Sequence, residues 1–300
     1  MFCIISAMEL VLVRVASLIA IAFVYMLFDI FNKRNIPSVF AYASLAYGVV
    51  LTLLYLNAAS ISISLLIAAV VLGAGYAVYR AGMLGAGDVL EFATLSLILP
   101  FQSLPVAANI PQLGLPFIVS LFIDSGIAAL IAVPLYYIPL ASKVLKRPIS
   151  SLASRRDAIK AMLVGAVYLV FLGFLAINVG TGLVGVIIVC VIAFGSFTVV
   201  LFERPITMSM VRYLTFRDFE EGDIIAWNLM KQGQISRIRK RVPGFDRLVT
   251  KKLIAELKRK RVKEKVPVYK NAIPLAAPIF IGVVLSVLLG NVILLLLPHL

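Results

Sequence analysis

Two residue types are nearly missing from this 300-residue chain. Cysteine occurs twice, at Cys3 and Cys190, and histidine once, at His299. Two distant thiols build neither a disulfide framework nor a cysteine-rich zinc site. One histidine beside the end excludes mechanisms that need an internal imidazole, including H-E-x-x-H metalloproteases and Ser–His dyads. Charge is also scarce. Asp, Glu, Lys and Arg make up 14% of the residues, against about 25% in ordinary soluble domains. With 62% hydrophobic residues, a water-soluble globular fold is nearly excluded.

What is present is apolar sequence in long runs. Eight stretches, about 10–31, 37–56, 61–80, 88–107, 115–141, 158–178, 182–202 and 272–297, are each long enough to cross a hydrocarbon core of about 30 Å as a helix. Helices are required because lipid satisfies no backbone N–H or C=O. In the fourth stretch Pro100 and Pro105 end the helix early. Glu9 and Arg14 interrupt the first run and no small-residue cleavage site follows, so it reads as a helix, not a cleavable signal.

Basic residues orient the chain. Of the 28 Lys and Arg, 27 fall in alternate connecting segments: Lys33 and Arg34; Arg80; a group from Lys143 to Lys160; and residues 203–271. The intervening loops have none. The positive-inside rule makes the basic segments cytoplasmic and puts the site at the cytoplasmic side of a plasma-membrane protein. Segment 203–271 carries 18 basic and 8 acidic residues. It reads as a solvated domain attracted to anionic lipid. No recognition motif accompanies the charge, so no nucleic-acid partner is expected. The expected architecture is an all-α polytopic membrane protein. Residues 1–202 form a transmembrane domain of about seven helices, 203–271 a basic cytoplasmic domain, and 272–300 a final helix.

Four carboxylates fall within or beside apolar stretches: Asp29, Asp88, Glu91 and Asp124. An ionised carboxylate in a bilayer costs several kcal/mol, so such residues are functional candidates. Asp29 ends the first stretch. Asp88 opens the fourth, after Gly85-Ala86-Gly87. Both meet the same membrane face. The glycines permit close backbone approach and positive φ, which brings Asp88 toward Asp29. Two carboxylates in one site keep one proton between them. The ionised member then takes a proton from water while the other donates to an amide carbonyl. Taken singly, each aspartate is equally well a helix-end residue, and Asp88 a helix cap. Glu91 shares a helical face with Asp88, where it tunes the pair or pairs with Arg80 or Arg14. Asp124 reads as a structural hydrogen-bond partner. Cys190 has no basic neighbour and reads as packing. Gly195-Ser196 reads as a small-residue helix contact. The acidic cluster Asp218, Glu220, Glu221 and Asp223 is a local attractor for a basic peptide.

At these residues the chain resembles the archaeal preflagellin and type IV prepilin peptidases, aspartyl proteases of the GxGD kind. The resemblance rests on Asp29 followed by Arg34-Asn35-Ile36-Pro37, similar to D-x4-R-x-I-P, and on Gly85-Ala86-Gly87-Asp88, the GxGD motif itself. It covers residues 20–100. It implies Asp29 and Asp88 as catalytic residues, with Gly85, Gly87, Glu91, Arg34 and Pro37 in support. It implies no metal and no cofactor. The partners implied are prepilin or preflagellin precursors, which lose a short basic leader, and membrane lipids. The chain departs from the family where Leu90 replaces a lysine common two residues after GxGD, and where the cysteine-rich loop of bacterial members is missing. The competing reading is a proton-coupled transporter or channel using the same intramembrane carboxylates.

Overall fold

The computed structural model describes residues 2–32, 36–55, 57–82, 84–101, 115–178, 182–216, 218–260, 264–270 and 275–292. Arg34 and His299 lie outside them. The apolar part begins with helices α1 (Phe2–Phe31), α2 (Ser38–Tyr55), α3 (Ala58–Arg80) and α4 (Ala86–Ile98). It continues with α5 (Phe117–Leu145), α6 (Arg155–Asn178) and α7 (Leu183–Leu201). Local chemistry sets several of the ends. The Pro37 carbonyl accepts the Ala41 N–H and opens α2. Asn57 caps α3 by accepting the Ser60 N–H at 2.8 Å, as short polar side chains do at helix starts.

Five helices are long and apolar enough to cross a membrane: α1, α3, α5, α6 and α7. The other three apolar helices are shorter than the sequence suggests. The stretch read as 88–107 is the 13-residue α4, about 20 Å long and short of a hydrocarbon core. It stops two residues before Pro100. Helix α4 is wrapped: every residue from Glu91 to Ile98 is buried, with α1, α2, α3 and α5 around it. Glycines let those neighbours approach. A Cβ on Gly75 of α3 would fall 2.5 Å from Val89 Cγ1, and one on Gly48 of α2 would fall 3.1 Å from Leu97 Cβ. Thr52 adds a hydrogen bond to the Leu97 carbonyl at 2.9 Å. Tight small-residue contacts are how helices associate where no hydrophobic driving force separates protein from lipid.

The same device joins the later helices. Gly195 of α7 sits against Leu130 of α5, as the small-residue reading of this position expects. Cys190 differs from expectation: it is exposed on α7.

The polar segment has its own core. After α8 (Glu203–Met210) come β1 (Val211–Leu214), α9 (Gln232–Arg241), α10 (Lys251–Arg259) and β2 (Val266–Tyr269). Strand β1 pairs antiparallel with β2, Val211 opposite Tyr269 and Leu214 opposite Val266. This small sheet is absent from the all-α expectation. Its source is local: Val266-Pro267-Val268-Tyr269 is β-prone sequence, and Val266 and Val268 are fully buried. They join Phe216, Ile225, Ile238 and Phe245 in one hydrophobic cluster. Leu253 and Leu257 form the buried stripe of α10. Helix α8 ties this unit to the membrane helices by packing Ile206 and Met210 against Tyr137 of α5.

The last helix, α11 (Ala276–Leu289), is shorter than the 272–297 stretch. Gly290, at φ 73°, follows its end, a conformation glycine adopts without strain. It packs on α5 and α1.

Candidate functional site

Asp29 occupies the last turn of α1 and is buried, 6% exposed. Its Oδ2 accepts the Ala276 N–H at 3.1 Å. That donor belongs to the first turn of α11, where N–H groups lack intrahelical partners and the helix dipole favours negative charge. The final helix therefore aims its positive end at the carboxylate of the first.

Asp88 sits in the first turn of α4. Its Oδ2 accepts the Gly85 N–H at 3.0 Å, a side chain reaching back to cap its own helix. Asp88 is half-buried, with Gly85 and Ala86 exposed before it. Asp29 acts on Asp88 electrostatically, and both act on Glu91. The three carboxylates lie within electrostatic reach of one another, at the end of α1 and the start of α4. Glu91 is the deepest, with 0% exposure, and neither of its oxygens has a hydrogen-bond partner among the described residues.

The glycines do not act through positive φ, as the sequence reading expects. Among the described residues of this loop only Gly82, at φ 66°, is in that region. Gly85 and Gly87 supply space. A Cβ on Gly85 would lie 2.9 Å from Asp88 Oδ2, in the way of the cap. A Cβ on Gly87 would lie 2.6 Å from Ile36 Cδ1. Ile36 precedes Pro37, so the two sequence motifs touch through their apolar members. Gly82 in turn abuts the polar segment: its Cβ would meet Ile224 Cγ2 at 3.2 Å.

Other expected residues separate from this cluster. Arg14 is buried and donates to the Leu51 carbonyl at 3.3 Å. No ion pair joins Arg14 or Arg80 to Glu91 among the described residues. Asp124 accepts the Ser286 hydroxyl at 2.6 Å and the Val292 N–H at 3.2 Å, the structural role its position suggests. The acidic cluster is largely engaged. Lys270 pairs with Glu220 at 2.6 Å and Asp223 at 2.8 Å, Glu221 pairs with Lys251 at 3.3 Å, and Asp218 accepts the Thr215 hydroxyl. Among the described residues no three His, Cys, Asp or Glu are arranged to hold a metal ion.

Sequence reasoning missed three contributors. Ala276 lies 247 residues from the carboxylate it supports, with no local signal. Tyr25 is fully buried one turn before Asp29, bonded to Ser44 at 2.9 Å and within electrostatic reach of Glu91. Its four-residue spacing from Asp29 on α1 was the available clue. Thr94 lies on the same α4 face as Asp88 and Glu91 at three-residue steps, beside Tyr25.

No curated protein and no solved structure matches the chain. One family does: residues 16–133, from α1 into α5 and including both aspartates, match the type IV leader peptidase family and carry the prepilin-peptidase resemblance with them.

Proposed function

We propose that the protein is a membrane-embedded aspartyl endopeptidase in which Asp29 and Asp88 together activate one water molecule. The carrying observation is that these two carboxylates, from separate motifs, both fall within the segment that matches leader peptidases, one at the end of α1 and one at the start of α4. The Ala276 and Gly85 N–H groups hold one oxygen of each. With one proton between them, the ionised aspartate takes a proton from water as its oxygen attacks the peptide carbonyl carbon. The protonated aspartate donates to the carbonyl oxygen. Collapse of the tetrahedral species breaks the C–N bond: the aspartate now holding the proton taken from water passes it to the leaving nitrogen, and a hydroxyl proton of the species returns to the other aspartate, leaving an amine, a carboxylic acid and the one-proton pair. The titration belongs to the pair, so acid and base are not divided between them.

The proposed substrate is a prepilin-like or preflagellin precursor. Its short basic leader is removed at the cytoplasmic face of the plasma membrane, just ahead of an apolar helix. The leader-peptidase match and the basic connecting segments beside both aspartates support this. The test is incubation of membranes with such a precursor, followed by mass. Wild type shortens it; Asp29→Asn and Asp88→Asn do not. A stably inserted Asp88→Asn protein cleaving at the wild-type rate overturns the proposal.

A further inference from the structure

Glu91 is fully buried, carries two oxygens without a hydrogen-bond partner among the described residues, and stands one turn inward of Asp88. A buried charge persists only when paired or well hydrogen-bonded. The charged groups that act on Glu91 are Asp88 and Asp29, both of its own sign. Helix α1 adds the Tyr25 hydroxyl, itself bonded to Ser44 of α2. Thr94, the next residue inward on the same face, sets a buried hydroxyl beside that of Tyr25. On α3, Arg80 is exposed and forms no ion pair with Glu91, and on α5 Asp124 is bonded to Ser286. Among the described residues no cation or hydrogen-bond donor is paired with Glu91, whereas Asp29 and Asp88 each accept a backbone N–H.

We infer that Glu91 is a positioning residue of the aspartate site: a neutral carboxylic acid beside the pair, with an O–H that can turn toward it. This rests on the peptidase reading for its catalytic meaning, but the state of Glu91 does not. A protonated carboxyl offers one donor and still accepts, so it can steady either aspartate as their shared proton moves. Like charges that act on one another disfavour ionising all three carboxylates at once. The deepest one, with no donor aimed at it, is the one that stays neutral.

The experiment compares wild type, Glu91→Gln and Glu91→Leu in detergent and in membranes, by infrared spectroscopy and by cleavage of a prepilin-like precursor. The wild-type spectrum at neutral pH contains a carboxylic-acid C=O component that Glu91→Gln removes. Glu91→Gln, which donates but cannot ionise, keeps kcat and KM near wild type and extends activity to higher pH. Glu91→Leu, which packs but cannot donate, keeps KM and lowers kcat about 10-fold to 100-fold, the scale of a displaced catalytic group. An unchanged infrared band in Glu91→Gln overturns the inference, as does wild-type kcat in Glu91→Leu. If Glu91→Leu does not fold, the band and the pH profile of Glu91→Gln decide. If wild type cleaves no precursor, the peptidase reading fails while the infrared comparison still settles Glu91.

Discussion

Ile36 and Gly87 interlock. The isoleucine ahead of α2 fills the space where a side chain on the second glycine of the Gly85–Asp88 motif would stand, 2.6 Å from its Cδ1. The contact packs the start of α4 against the connection between α1 and α2, and on the proposed mechanism it helps to place Asp88 relative to Asp29. Gly87→Ala is expected to lower kcat/KM for leader removal by about 10-fold, with an overpacking cost of about 1–3 kcal/mol. Adding Ile36→Val or Ile36→Ala should restore much of the loss. A double variant no better than Gly87→Ala would show that the contact does not position the aspartates.

On the proposed mechanism Asp88 has two separable jobs. As a cap it needs only an acceptor for the Gly85 N–H; as a catalyst it needs an ionisable acid. Asp88→Asn should leave thermal stability near wild type while abolishing cleavage. Asp88→Ala should abolish cleavage and also destabilise by about 0.5–2 kcal/mol, the usual worth of a cap. Melting curves in detergent beside the mass assay separate the two effects.

Asp124 distinguishes a peptidase from a proton relay. It is bonded to Ser286 and Val292, which ties α5 to α11. Ser286→Ala should cost about 1–3 kcal/mol, because it leaves a buried carboxylate short of a donor. Asp124→Asn should retain cleavage per folded molecule. A transporter would instead lose carboxylate-dependent flux in liposomes with Asp124→Asn.

Lys270 gives the polar segment a pH dependence. Burial alone would lower its titration point, but bonds to Asp223 and Glu220 outweigh that and raise it. A raised value in the folded state means the stabilisation is complete below the ordinary lysine range, near pH 10.4, and fades as pH rises through the folded-state value. Limited proteolysis of 203–271 should therefore accelerate in strong alkali, and Lys270→Met should be cut faster already at neutral pH. Because the acidic residues are occupied this way, neutralising Asp218, Glu220, Glu221 and Asp223 should loosen the segment without changing KM for the precursor.

Much of this arrangement was legible in sequence because its signals are short-range. The aspartates stand out as charges in apolar runs, and the glycines and prolines punctuate them. Pro100 marks the early end of α4, and Leu253 and Leu257 show the buried face of α10. The rest depends on distant partners. Composition alone does not distinguish a helix that meets lipid from one sheathed by other helices, so the sequence does not announce that Gly48 and Gly75 let protein surround α4. Likewise nothing near Asp29 announces Ala276, and β1 needs β2, more than fifty residues later, before either is a strand.

The Ala276 N–H reaching Asp29 has a consequence for biogenesis. A ribosome that has threaded α1 to α5 into the bilayer has made both aspartates, yet must add the whole polar segment before the donor to the first of them exists. Until α11 has been made, the unfinished chain leaves the Asp29 carboxylate without the backbone donor that it accepts in the folded protein.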